Sequence, residues 1–303
     1  MGHRPCISAL WPTHRSMPPS VSTSTAKGPS KLMKTAMKTT RTKAATANRP
    51  QTSGILCRID GPLAFITLNR PEVLNAMNLA WPSDLLAITR PLARNKQVRV
   101  VVLSGAGRAF CSGIDLKALS SGGIPLQWFR ETELAFRSVE ELPQFVICAA
   151  HRYCIGGGLQ LALASDLRIV TADTQFALTA VKECLIPGMG TYRLARYVGL
   201  GRAKRIALSG EFIGAQEALA IGLVEHIVPQ TDYDHFVKEQ IQSYLKIASE
   251  GQRQTKYLLN RAFDLTWDEF LKAYMVSQKK TIASAEHREA MAAYREKREP
   301  KFR

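Results

Sequence analysis

Hydrophobic and polar positions change period repeatedly along this chain. Short runs rich in Val, Ile and Leu at Ile55–Ile59, Ala64–Leu68, Val98–Leu103, Phe145–Ala149 and Leu167–Val170 predict strands. Between and after them, apolar residues at three-to-four spacing predict helices at Asn78–Arg90, Trp128–Leu142, Leu159–Ala164, Gly201–Leu208 and Ala215–Ala220. Pro82 falls in the first turn of the earliest helix, where a missing N–H costs nothing. Beyond about residue 232 only helical patterning remains, at Tyr233–Ala248, Gly251–Leu265, Trp267–Ala283 and His287–Arg298. The last stretch has too little apolar surface to fold as a separate domain. The pattern is that of an α/β protein.

The first fifty residues are different. Residues 12–52 are rich in Ser, Thr, Pro, Ala and Lys and hold no sustained period, so they cannot bury enough surface to offset their ordering entropy. This divides the chain into a basic leader at 1–52, a core at 53–232 and a helical region at 233–303. Residues 1–59 carry ten Lys or Arg and no Asp or Glu, which leaves 31 basic against 25 acidic residues beyond and accounts for most of the net charge of +16. A basic, acid-free leader fits a mitochondrial transit peptide, hence a matrix location in a eukaryote and a cytoplasmic one otherwise. A true start at Met33 or Met37, a nucleic-acid-binding arm and a tail without a role are the other readings. No apolar run approaches the roughly 20 residues that cross a bilayer. The cysteines Cys6, Cys57, Cys111, Cys148, Cys154 and Cys184 form no CxxC pair or secreted framework, which suggests a reducing compartment and no zinc site.

Three segments carry candidate chemistry. In HRYCIGGGLQLALASDLRI, residues 151–169, the triplet Gly156-Gly157-Gly158 interrupts a buried run and opens onto a helix. Glycines let the backbone turn sharply and leave N–H groups uncovered, a site for a negative oxygen; alone, such a triplet could equally be a packing turn. VRVVVLSGAGRAFCSGIDLKAL, residues 98–119, is a valine-rich strand, a Ser-Gly-Ala-Gly turn and a lead into another helix. FITLNRPEVLNAMN, residues 65–78, is a strand broken at Arg70-Pro71.

Together these resemble the enoyl-CoA hydratase/isomerase family, the crotonase superfamily. The resemblance runs on through residues 176–199 and 215–229 to the tail AMAAYREKREPKF at 290–302, six motifs in order over roughly residues 53–302. It implies a crotonase (ClpP-like) spiral of ββα repeats with a C-terminal helical trimerisation region, assembled as a homotrimer or a dimer of trimers. It also implies an acyl-CoA thioester as substrate, with coenzyme A part of the substrate and no separate cofactor.

By motif position, the N–H groups of Ile114 and Gly157 would stabilise the thioester enolate oxygen. Leu74 and Ala76 match the loop whose backbone meets the nucleotide and pantetheine. Ser112, Asp115 and Leu116 match the adenine-side turn, and Lys117 sits where a cation can meet CoA phosphate or simply be solvated. Asp115 also has a structural reading, as an acid complementing a helix start.

The family's catalytic acids are absent from their places. The first glutamate of the hydratases corresponds to Gln160, which can orient water but cannot take a proton near neutral pH. The second, shared with the double-bond isomerases, corresponds to Ala180, and the aspartate some isomerases carry after Ile-Pro corresponds to Gly188. The spacing from Phe176 to Pro187 matches the family, so Glu183 does not slide into the Ala180 place, while the segment after Pro187 is one residue short. Glu183 is the nearest carboxylate in sequence, with a surface ion pair beside Lys182 as its alternative. His151 is a second stand-in, since imidazole titrates near neutrality, with a hydrogen-bonded strand-end histidine as its alternative. Cys111 and Cys154 read as small core residues, and Trp128 and Phe129 as acyl-pocket lining or core. Hydration therefore lacks its base, and decarboxylation, hydrolysis or isomerisation stay open, as does a non-catalytic acyl-CoA-binding protein. The helix Asn78–Arg90 has no lysine, which argues against an RNA-binding relative.

Overall fold

The computed structural model describes residues 54–302. The leader at 1–52 lies outside the described residues. Strands β1 (Ile55–Asp60) and β2 (Leu63–Leu68) form a hairpin, closed by Gly61 at φ +55°. From β2 the sheet continues in parallel through β3 (Val100–Gly105), β4 (Phe145–Ala150), β6 (Leu167–Thr171) and β9 (His226–Val228). A smaller sheet holds β5 (Tyr153–Ile155), β7 (Gln175–Ala177) and β8 (Ile213–Gly214).

The two sheets are filled alternately, and this produces the spiral. β4 enters the large sheet, the chain passes through Arg152 (φ +56°), and β5 enters the small one before helix α4 (Gly157–Leu163). The next turn repeats this with β6 and β7. Earlier turns contribute single bridges in place of strands, Cys111 to Cys154 and Met77 to Ile114, which extend the small sheet by two rows.

β3 and β4 are buried on both faces, as the unbroken apolar runs require of central parallel strands. One face packs on α1 (Trp81–Leu92), α3 (Leu126–Glu140) and α4. The other packs on α8 (Tyr233–Leu245) through Tyr233, Val237 and Ile241. Short α2 (Leu116–Ser120), then α5 (Gly190–Val198), α6 (Leu200–Ser209) and α7 (Ala215–Ala220), fill the remaining connections. Helices α9 (Ser249–Leu259), α10 (Trp267–Ala283) and α11 (Ala285–Glu296) bury little, and Leu259, Phe263, Trp267 and Tyr294 stand exposed. Among the described residues no helix is long and apolar enough to cross a membrane.

The structure differs from the pattern in particulars. The first helix starts at Trp81 rather than Asn78, because Met77 is held in the bridge to Ile114 and the Asn78 carbonyl accepts from the Trp128 indole N–H (3.1 Å). It also runs through Pro91, which has no N–H to give the Ala87 carbonyl one turn back. The strands β5, β7, β8 and β9 and the helix α5 have no counterpart among the predicted elements.

Candidate active site

Two loops meet beside the small sheet. The first runs from Phe110 to Asp115. Its edge toward residues 74–77 is fixed by N–H donation from Ser112 to the Leu74 carbonyl (3.0 Å), Met77 to Gly113 (2.8 Å) and Asp115 to Met77 (3.0 Å). A trans peptide points its C=O and N–H in opposite directions. The Gly113 carbonyl faces Met77, so the Ile114 N–H faces the other edge. Gly113 itself sits at φ +92°, a backbone conformation that favours glycine.

On that other edge lies the second loop, Ile155 to Gly158. Cys111 donates to the Tyr153 carbonyl (2.9 Å), and Ile155 returns a bond to Cys111 (3.0 Å). The Gly157 nitrogen is 3.5 Å from where a Gly113 side chain would begin. The Gly156 carbonyl accepts from Gln160 inside α4 (3.1 Å), which aims the Gly157 N–H out of the helix start. Each glycine of the triplet has its own reason. Gly156 sits at φ +55°, ψ −116°; a Cβ on Gly157 would fall 2.3 Å from Met77 Sδ, and one on Gly158 2.6 Å from the Cys111 carbonyl oxygen.

Asn75, which the motif reading passed over, organises the first loop from below. It is buried in the left-handed region (φ +57°), and its amide NH₂ donates to the Ala106, Ala109 and Phe110 carbonyls while its oxygen accepts the Arg70 N–H. The signal available in the sequence was the residue type, since asparagine tolerates that conformation better than most.

The other candidate residues divide. Leu74, Ala76 and Ser112 are drawn to the loop; the Ala76 carbonyl accepts from Arg70 (2.6 Å). The Asp115 carboxylate accepts from the Lys117 and Ala118 N–H groups at the start of α2 and pairs with Arg70 (3.3 Å). Leu116 and Lys117 are exposed beside it. Gln160 is buried in the first turn of α4, and its side-chain oxygen has no hydrogen-bond partner. Ala180 and Glu183 lie on a short 3₁₀ turn, Ala180 half-buried and Glu183 exposed. The His151 ring meets the Gly107 carbonyl (3.1 Å), under the turn before the first loop, and burial pulls its pKa below the ordinary 6.5. Cys111 and Cys154 are fully buried; desolvation pushes the Cys111 thiol up to about 12 and Cys154 well above its usual value, which leaves both without nucleophilic thiolate. Trp128 is core, edge-on to Phe129 at 5.4 Å.

One acid beside the loops was not among the sequence candidates. Glu133 of α3 accepts the Met189 N–H (2.9 Å) and pairs with the buried guanidinium of Arg193 (3.0 Å). One family model fits most of the chain: residues 58–303 match the enoyl-CoA hydratase/isomerase model.

The chain belongs to the enoyl-CoA hydratase/isomerase family.

Relatives and solved structures agree. YngF of Bacillus subtilis is 35% identical over 78% of this chain and 92% of its own length. The bovine enoyl-CoA hydratase domain-containing protein 2, mitochondrial, is 31% identical over 82% of this chain and 87% of its own. The enoyl-CoA hydratase of Bacillus anthracis superposes with a TM-score of 0.77 at 31% identity, over 82% of this chain and 98% of that one. A Thermobifida fusca protein solved in complex with CoA superposes with a TM-score of 0.72 at 31% identity, over 80% and 98%. The fold of this chain is therefore the mixed α/β spiral of the crotonase family, with helices at its C-terminal end.

Proposed function

We propose that this protein acts on acyl-CoA thioesters by way of an enolate held between the Ile114 and Gly157 N–H groups, without the glutamate pair of the family's hydratases. The observation that carries this is the orientation of the two N–H groups, set by the bonds from Met77 to the Gly113 carbonyl and from Gln160 to the Gly156 carbonyl. Fixed donors of this kind stabilise charge as it develops, and one of them contributes about 3 kcal/mol. The loops of Leu74, Ala76 and Ser112, with Lys117 beside them, would hold the CoA portion. The CoA bound to the Thermobifida relative supports a CoA ester as the ligand.

Gln160 and Ala180 leave both glutamate positions that hold and deprotonate the attacking water without a carboxylate, so crotonyl-CoA hydration is expected to be negligible. Loss of CO₂ from a malonyl-type CoA forms the enolate with no base and is the least demanding reaction for the hole. Hydrolysis and double-bond isomerisation are the alternatives within the same chemistry. The exposed apolar side chains of α9–α11 support assembly through those helices, as a trimer or a dimer of trimers.

The test is mass-spectrometric product analysis with enoyl-, malonyl-, methylmalonyl- and hydroxyacyl-CoA esters. Loss of CO₂ or a shifted double bond supports the enolate reading. Rapid hydration of crotonyl-CoA, tens of turnovers per second, overturns it. Unchanged esters in a sample that binds them identify a non-catalytic acyl-CoA-binding protein.

A further inference from the structure

Helix α3 packs beside α4. At one level, Phe136 Cζ lies 3.7 Å from where a Gly157 side chain would begin. One turn earlier on α3 is Glu133, and one turn later on α4 is Gln160. A single point marks their approach: the position of a Cβ on Gly188 is 2.2 Å from Glu133 Oε1 and 3.3 Å from Gln160 Oε1. The carboxylate thus stands next to the Gln160 side chain, one helical turn from the proposed hole, although the two residues lie far apart in sequence.

Glu133 is held in place. Its Oε1 accepts the Met189 N–H and its Oε2 pairs with Arg193, which is 5% exposed and also bonds Glu140 at 3.3 Å. Each carboxylate oxygen keeps a second lone pair after those bonds. The Glu133 side chain is 22% exposed, so neither burial nor its partners close it off. Beside it the Gln160 amide is buried with an unpartnered oxygen, a polar group that a water or a substrate atom can satisfy.

We propose that Glu133 is the acid/base group of this site, the carboxylate through which the α-carbon of a bound acyl-CoA exchanges protons with solvent. The proposal rests on the enolate reading above. In the step, a Glu133 oxygen takes the α-proton, the C–H electron pair moves onto the thioester oxygen in the hole, and the reverse transfer returns a proton from Glu133 to carbon. No oxidant or co-reactant is needed. Gln160 would orient the reacting carbon or a water without taking part in the proton transfer.

The experiment is α-hydrogen exchange of butyryl-CoA in D₂O, followed by mass spectrometry, with ester affinity measured in parallel. The wild-type protein is expected to incorporate deuterium. Glu133→Gln should exchange about 10²-fold more slowly or worse at saturating ester, with affinity retained. Glu140→Gln, which loosens Arg193 while leaving Glu133 in place, should keep the exchange, and so should the exposed Glu183→Gln. Glu133→Asp should restore part of it. If Glu133→Gln exchanges as fast as the wild type, or if Glu140→Gln slows exchange equally, Glu133 only ties α3 to the segment at Met189 and the proposal is overturned. Wild-type protein that binds butyryl-CoA but exchanges nothing also overturns it, and leaves the acyl-CoA reading standing. Failure to bind any CoA ester removes that reading itself.

Discussion

Gly158 rests directly on Cys111: a Cβ at 158 would come within 2.7 Å of the Cys111 Cβ and 2.6 Å of its carbonyl oxygen. That carbonyl accepts from Ile155, so the contact is part of the seam joining the two donor loops. Backbone cannot yield as a flexible side chain can. Gly158→Ala is therefore expected to spread the loops and cost about 1–3 kcal/mol of stability. The check is thermal unfolding together with CoA-ester affinity, and both should fall. An alanine variant with wild-type melting and affinity would mean that the seam tolerates separation.

Arg168 is a buried cation on β6, the strand next to the edge strand β9 of the large sheet. It pairs with Glu225, donates to the Leu223 and Ser165 carbonyls (both 2.9 Å) and lies 4.4 Å over the Tyr197 ring. Through these bonds one side chain closes the end of α4 onto the loop before β9. Arg168→Met fills similar volume but strands the carbonyls and Glu225. It should destabilise by roughly 3 kcal/mol or more. Denaturant unfolding measures this, and since the arginine bonds the end of α4 opposite to the Gly157 N–H, CoA-ester affinity of the folded fraction should hold.

If hydration fails only because the carboxylates are missing, restoring them should bring it back. Gln160→Glu alone restores one of the family's two acids, beside Glu133, and Ala180→Glu alone restores the other, beside Gln160. Neither is expected to hydrate crotonyl-CoA measurably. The double variant should gain at least about 10²-fold over the wild type, the usual scale of general acid–base catalysis. Loss of the enoyl absorbance is the readout. A double variant as inert as its parent would show that the acyl chain or the water does not reach those positions.

How far the sequence disclosed this arrangement depends on what kind of contact was involved. The long elements were legible, because Val100–Leu103 or Trp267–Ala283 carry their own period. The strands of the small sheet were not: Tyr153–Ile155, Gln175–Ala177 and Ile213–Gly214 span two or three residues and exist through their partners. Helix α5 was hidden for a related reason, since it opens with Gly190 in a Pro- and Gly-rich stretch that carries loop signals. The donor loops were legible as motifs through Gly113 and the glycine triplet. The relation between Glu133 and Gln160 was not, for it arises only when α3 and α4 are packed side by side and Gly188 comes against both side chains.

His151 gives a pH dependence that separates its role from catalysis. Burial is the main influence on its ring and pulls the pKa below 6.5; the bond to the Gly107 carbonyl and the charge of Asp173 oppose this, and Arg152 adds to it. The folded protein therefore binds the His151 proton less readily than the unfolded chain does. Its stabilising contribution is complete above about pH 6.5 and is lost as pH falls through the lower folded-state value. His151→Gln keeps a donor for the Gly107 carbonyl and removes the titration. Between about pH 7 and pH 5 its melting temperature should fall less than that of the wild type, while above about pH 7 the two curves should run parallel. Deuterium exchange into butyryl-CoA should be unaffected by the substitution. A large loss of exchange in His151→Gln, with melting unchanged at neutral pH, would return the histidine to the list of bases and take the proton transfer away from Glu133.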